Sequence, residues 1–360
     1  MRVTNTERNT NMKNVARRGL AGSLALTTML GLAACGSDED SGARASGDGG
    51  SSDLTPVRVM MFPAQVYRLP AIVAQENGIF EEHGIDVEFI GQPPSLQGTQ
   101  GMEATKANVG QLSTTTLAQG FQNGEEFVFF CGGLKVIQTS LVAAPDSDLP
   151  SVEDGASWQE VLQALEGKKI GIQTPVGSGV QLLFAAALKE AGVKDVTYVN
   201  IGTDMQVATA SLGNGSIDVA QVTPPVLQNL VGSDKAKQLL YLPDGPDAYK
   251  NNYGSGWTAP ASWLQEDPEA ADAFCDSIEE GLQFIQDDAN AEEAAALLQK
   301  DTGVPAEVAA QVIADDVYAD FGTEMDPAVI DETLNMYIDL GILKPEPKPS
   351  AEDLVQQTGS

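Results

Sequence analysis

"GKKIGIQTPVGSGVQLLFAAALKEAGVKDVTYVN", Gly167 to Asn200, contains a complete strand, helix and strand. Lys169 to Ile172 is a short apolar run between turn residues and reads as a strand. Gly179 to Ala191 reads as a helix, and Val196 to Asn200 as the next strand. The alternation extends on both sides, with helix Trp158 to Glu166 before it and helix Asp204 to Leu212, strand Ile217 to Gln221, helix Pro224 to Leu230 and strand Gln238 to Leu242 after it. Strands and helices alternating at this spacing predict an α/β unit, a parallel sheet with helices on its faces.

A second unit of the same kind lies upstream. Val57 to Phe62 follows a proline, alternates, and reads as a first strand. Leu69 to Glu76 sets Leu69, Ile72 and Val73 on one helical face, tolerates Pro70 in its first turn and stops at Gly78. Ile79 to His83 adds a helical turn closed by Gly84, and Ile85 to Ile90 is the second strand. A helix over Ser95 to Thr105, a short strand in "NVGQL" (Asn108 to Leu112), a helix over Thr114 to Gln122 and two buried strands, Phe127 to Cys131 and Ser140 to Ala144, complete it. The polar "APDSDLPSVEDG", Ala144 to Gly155, marks a boundary.

Beyond Trp257 the pattern turns helical. Asp267-Pro268 and Asp326-Pro327 look like helix starts, and Gly303 and Gly341 like stops. Helices without strands make a poor third domain, so they are expected to cover the first sheet. Residues 54–144 with 250–355 then form one lobe and 145–249 the other, with two crossings between them and a cleft at the hinge.

About 300 residues follow Leu54, enough for two domains of ordinary size. A hydrophobic content of 42% with 20% charged residues is that of a globular protein. What precedes Leu54 is different. Lys13, Arg17 and Arg18 stand before a largely apolar stretch, Leu20 to Ala34, which at about 15 residues is shorter than the roughly 20 that a membrane-spanning helix needs. A basic start, an apolar middle and a small-residue end (Ala33, Ala34) are the layout of a secretory signal peptide over residues 1–34. Gly36 to Asp53 holds no apolar residue larger than alanine, so residues 35–53 read as a flexible tether.

The net charge of −31 argues against nucleic acid or an anionic lipid surface as a partner, since both would repel it. Of three cysteines, Cys35 closes the signal segment. Cys131 and Cys275 either pair in an oxidising compartment or sit as two buried thiols. Neither has a histidine or second cysteine at metal-ligand spacing, so no metal site is expected.

Four stretches, taken in order, resemble the solute-binding proteins of ABC importers, in the group that handles sulfonates, nitrate, taurine and pyrimidine precursors of thiamine. They are "LPAIVAQENGIFEEHGIDVEF" (Leu69 to Phe89), "GKKIGIQTPVGSG" (Gly167 to Gly179), "SLGNGSIDVAQVTPP" (Ser211 to Pro225) and "NMYIDLGILKPEPKPSAEDLV" (Asn335 to Val355). Leu32-Ala33-Ala34-Cys35 also resembles a bacterial lipobox, in which the cysteine thiol carries diacylglycerol and becomes the new N-terminus. The resemblance covers Val57 to Val355 and implies an α/β, two-lobed, periplasmic-binding-protein-like fold of type II. It further implies a monomeric lipoprotein on the extracytoplasmic face of the cell membrane, attached through its lipid alone. Its partners would be a small-molecule ligand and an ABC permease with its ATPase, with no cofactor. The turn after the third strand departs from the family pattern: where an acidic residue is common, "KANVGQLSTTT" carries Asn108 and Gln111.

In open α/β sheets ligands sit beyond the carboxyl ends of the strands, where helix N-termini present N–H groups. Gly177, Ser178 and Gly179 lie at such a place, where their amides approach a ligand oxygen or simply form a loop with a serine cap. Ser113, Thr114 and Thr115 either bind or cap the helix they open. Thr223 reads as the N-cap of the helix after it and faces the same gap. Gln65 and Tyr67 follow the first strand and reach across the cleft. Arg68 either neutralises an anion or lies on the surface, and Trp257, in "YGSGWTAP", either stacks on a ligand ring or packs the hinge.

One branch with a similar fold is a pyrimidine synthase that consumes its own histidine and needs a cysteine-rich signature. This chain has one histidine, His83, at a helix end, and no cysteine cluster, nucleophile elbow or GxxxxGK[ST] phosphate loop. A binder rather than an enzyme is expected, with a surface adhesin as a third class. The expected ligand is a small organic anion, such as a sulfonate or aromatic carboxylate, held by neutral donors and helix N-termini. A neutral pyrimidine-like compound is the alternative.

Overall fold

Val57, Val59 and Met61 of the first strand point into one apolar cluster while Met60 points into another, so the strand is buried on both faces, as the centre of a covered sheet requires. The structure, a computed structural model, describes residues 54–61, 65–92, 98–174, 176–202, 204–250 and 252–357. The readings of the signal peptide, the tether and Cys35 lie outside these residues, as do Phe62 and Ser95 at the ends of an expected strand and helix.

Among the described residues ten strands form two sheets. The strands are β1 (Thr55–Met61), β2 (Ile85–Gly91), β3 (Val109–Ser113), β4 (Phe127–Cys131), β5 (Ser140–Ala143), β6 (Lys169–Ile172), β7 (Thr197–Asn200), β8 (Val219–Val222), β9 (Lys237–Tyr241) and β10 (Ser255–Pro260). One sheet runs β2-β1-β3-β10-β4 and the other β7-β6-β8-β5-β9. The expected parallel pairing holds for β1 with β2 and β3, and for β6 with β7 and β8. It fails for one strand in each sheet: β10 is antiparallel to β3 and β4, and β5 is antiparallel to β8 and β9.

The exceptions share a cause, since each is the first strand made after the chain crosses between lobes. A crossing strand keeps its direction and enters the new sheet at its cleft edge, opposed to strands that end there. Two expectations change with this. Ser140–Ala143, placed with the first lobe by the boundary at 144, pairs within the second sheet. The segment around Trp257, expected to begin a helical region, is a strand set between β3 and β4.

The first crossing leaves β4 through Gly132 and Gly133, which pass so close to other backbone that no side chain fits. A Cβ on Gly132 would lie 2.3 Å from the Gly322 carbonyl oxygen, and one on Gly133 2.8 Å from that of Ser255. The later helices cover the first sheet as expected. In the helix Pro268–Gln286, Phe274 stacks on Phe80 at 5.7 Å and meets Trp257 edge-on at 5.1 Å. Asp326 caps the helix Pro327–Asp339 through the Ala328 amide, whereas Asp267 makes no side-chain cap.

Cys131 and Cys275 are joined in a disulfide, which resolves the alternative left by the sequence. It ties β4 to the helix Pro268–Gln286 across 144 residues. On the loop-entropy account such a closure restrains the unfolded chain by about 5 kcal/mol. Near the C-terminus, Val355 bridges to Phe129 and the Gln356 amide donates to the Phe129 carbonyl at 2.8 Å, extending the sheet at β4. No helix among the described residues is long and apolar enough to cross a membrane.

Candidate functional site

The carboxyl ends of β1, β3, β6 and β8 converge with the starts of β5 and β10, and between them lies a cavity of about 290 Å³. One lobe contributes Gln65, Tyr67, Gln111, Leu112, Ser113 and Ser255. The other contributes Gln173, Thr174, Val180, Gln221 and Thr223, and the first crossing lays Leu134, Ile137 and Thr139 along the wall.

Tyr67 links the two sides. Its ring packs against Phe321 at 5.6 Å, and its carbonyl accepts from Gln111 Nε2 at 3.5 Å. Burial pushes the phenol pKa above its ordinary value, and a hydrogen-bonding contact with the Thr223 side chain in the opposite lobe partly offsets that rise. Thr223 is held in turn, its amide and hydroxyl both donating to Gln173 Oε1 at 2.8 and 3.1 Å. Gln221, only 3% exposed, donates through Nε2 to the Tyr249 hydroxyl at 3.3 Å. The Thr139 hydroxyl has no hydrogen-bond partner among the described residues, although the residue is 1% exposed.

Of the residues singled out by sequence, Gln65, Tyr67, Ser113 and Thr223 line this cavity. Thr223 does so without capping: its hydroxyl serves Gln173, and the helix Val226–Val231 begins beyond it. Ser113 caps the helix Thr114–Gln122 by accepting from the Thr116 amide, so it lines the cavity and caps at once.

The remaining candidates are placed elsewhere. Thr114 is buried and donates to the Tyr253 carbonyl at 2.5 Å. Thr115 hydrogen-bonds Tyr337 and faces Gly179, where an added Cβ would lie 3.1 Å from the threonine side chain. Gly179 therefore lets the lobes touch. The Gly177 amide already donates to Gln181 Oε1 at 2.9 Å, and Ser178 caps the same helix while donating to Thr174 Oγ1 at 2.9 Å.

Arg68 forms an ion pair with Asp301 at 3.2 Å and lies over the Phe89 ring, so it is neither in the cavity nor loose on the surface. Burial raises the Asp301 pKa, Arg68 opposes that rise, and Glu76 adds to it. Trp257, 1% exposed, belongs to the core beneath the site.

Sequence reasoning missed Gln173, Gln221 and Thr139. The rule that ligands sit beyond strand carboxyl ends already pointed to the two glutamines, which end or directly follow predicted strands. Thr139 carried no such signal, because it precedes a strand whose direction in the sheet was not foreseen. No cluster of three or more potential metal ligands occurs among the described residues.

The family model for NMT1/THI5-like proteins matches residues 65–294. This chain belongs to that family. A Brucella abortus (strain 2308) protein, named only as a candidate binding protein, is 24% identical over 237 residues, covering 65% of this chain and 68% of the relative. Among solved structures, the periplasmic aliphatic sulphonate-binding protein of Escherichia coli superposes with a TM-score of 0.66 at 16% identity, covering 85% of this chain and 93% of that one. The periplasmic nitrate-binding protein of Synechocystis PCC 6803 gives 0.63 at 16% identity, covering 84% and 86%. At these identities the structural likeness establishes the fold, which for this NMT1/THI5-like chain is that of the periplasmic binding proteins.

Proposed function

We propose that this chain is the extracytoplasmic solute-binding component of an ABC importer, a monomer moored by a lipid on Cys35. It captures a small solute between its lobes and passes it unaltered to a permease driven by an ATPase. The observation that carries this reading is a single cavity walled by the carboxyl ends of both sheets, flanked by lobe-to-lobe contacts at Tyr67 with Thr223 and Thr115 with Gly179. A solute touching both walls binds the closed arrangement better than an open one, and that difference in affinity drives closure. The names of the relatives, binding proteins for sulphonate and nitrate among them, support the same role.

At about 290 Å³ the cavity lies at the lower end of the range of ligand pockets, roughly 300–1,000 Å³, so the solute is small. The organic anion expected from the resemblance draws support from those names. The side chains of the cavity favour the neutral alternative, because none of them is ionisable at neutral pH.

A thermal-shift panel of sulfonates, carboxylates, nitrate and thiamine precursors, followed by X-ray scattering and mass spectrometry of the recovered compound, tests the role. Stabilisation with compaction and unchanged ligand mass is expected. Tight binding without compaction, or recovery of an altered compound, would refute it.

A further inference from the structure

We infer that the cavity selects uncharged solutes of the cyclic amide or ureide class, an inference that rests on the solute-binding role proposed above. The first ground is electrostatic. No Asp, Glu, Lys, Arg or His lines the cavity. The short stretches left undescribed between Leu54 and Gln357, residues 62–64, 93–97, 175, 203 and 251, contain none either. Arg68, the cation nearest in sequence to Tyr67, is committed to Asp301 and the Phe89 ring. An anion would therefore be buried without a counter-charge, inside a protein whose net charge of −31 already repels it.

The helix N-termini beside the cavity are partly spent within the protein, and what they still offer is neutral N–H donors rather than a counter-charge. Where the helix Thr114–Gln122 begins, the Thr114 amide donates to the Gly254 carbonyl and the Thr116 amide to Ser113 Oγ. At the helix Gly179–Glu190, the Gln181 amide is taken by Ser178 Oγ and the Gly177 amide by Gln181 Oε1.

The second ground is the pattern of polar atoms left to a ligand. Gln173 spends its oxygen on Thr223, which leaves its amino group to donate. Gln221 gives one of its two N–H groups to Tyr249, and its oxygen is left to accept. Both line the cavity, Gln221 from within β8 and Gln173 from just past the end of the adjacent parallel strand β6. A neighbouring donor and acceptor on the wall complement the C=O and N–H of a lactam or ureide ring. The Thr139 hydroxyl, buried and without a partner among the described residues, offers a further polar contact to a ligand atom. Leu112, Leu134, Ile137 and Val180 supply apolar surface for the ring faces.

The test is calorimetric titration of the full chain with uracil, hydantoin and 2-pyridone against orotate, ethanesulfonate and nitrate. The neutral compounds are expected to bind with affinities insensitive to salt, and the anions at least about a hundredfold more weakly. An anion binding as tightly as the neutral set, or silence from the whole neutral set, overturns the inference. Compaction on binding an anion would leave the solute-binding role standing and remove only this assignment of class. Thr139→Val is expected to weaken the neutral ligand about tenfold, the scale of one hydrogen bond, without lowering the thermal midpoint of the unliganded chain. Unchanged affinity in that variant would overturn the part given to Thr139.

Discussion

Tyr67 does two jobs with one side chain: its ring packs on Phe321 in its own lobe while its hydroxyl meets Thr223 in the other. Tyr67→Phe keeps the packing and removes the contact between lobes. The variant is expected to lose about 1 kcal/mol of stability, as for one hydrogen bond, and to show a larger radius of gyration without ligand in X-ray scattering. An unchanged radius would mean that the hydroxyl does not help hold the lobes together. Position along the chain revealed Tyr67 and Thr223, because both follow strands that end at the cleft. The same reasoning failed at Gly177, where a side chain four residues ahead, Gln181, reaches back and takes the amide that a ligand was expected to use.

At the scale of elements, the helix Pro268–Gln286 lies so close to Leu69–Glu76 that a Cβ on Gly281 would stand 2.3 Å from the Pro70 carbonyl oxygen. Backbone cannot yield as a flexible side chain can, so Gly281→Ala is expected to force the helices apart. The cost should be about 1–3 kcal/mol by urea unfolding, even though alanine is the better helix former. Several elements were plain from periodicity alone. Leu69–Glu76, Thr114–Gln122 and Phe127–Cys131 occupy the ranges read from the sequence. β10 was not, because "SGWTAP" begins with a small polar residue and a glycine and ends in proline, so nothing in it alternates. Its place as a strand depends on the gap between β3 and β4, which only the folded sheet defines.

Across the whole molecule, all seven tyrosines have raised pKa values, with burial the largest cause in each. The unfolded chain releases these protons near its ordinary value of 10.0, whereas the folded chain holds them to higher pH. Their contribution to stability is thus intact below pH 10 and falls as pH rises past it. Tyrosinate absorbance is expected to appear together with loss of near-ultraviolet circular dichroism. Free titration near pH 10 with the fold intact would contradict the burial described here.

The two-lobed plan was legible because strand and helix alternate twice along the chain. The reversed strands were not, since antiparallel entry follows from where the chain crosses and leaves no mark on local composition.

The link between Cys131 and Cys275 has a topological consequence. Everything made after the first cysteine and before the second, including every strand from β5 to β10, lies on a covalent ring. A protease that nicks the second lobe once opens that ring without dividing the molecule. The helices that roof the first sheet stay fastened to it, and only a second cut or a reductant sets a fragment free.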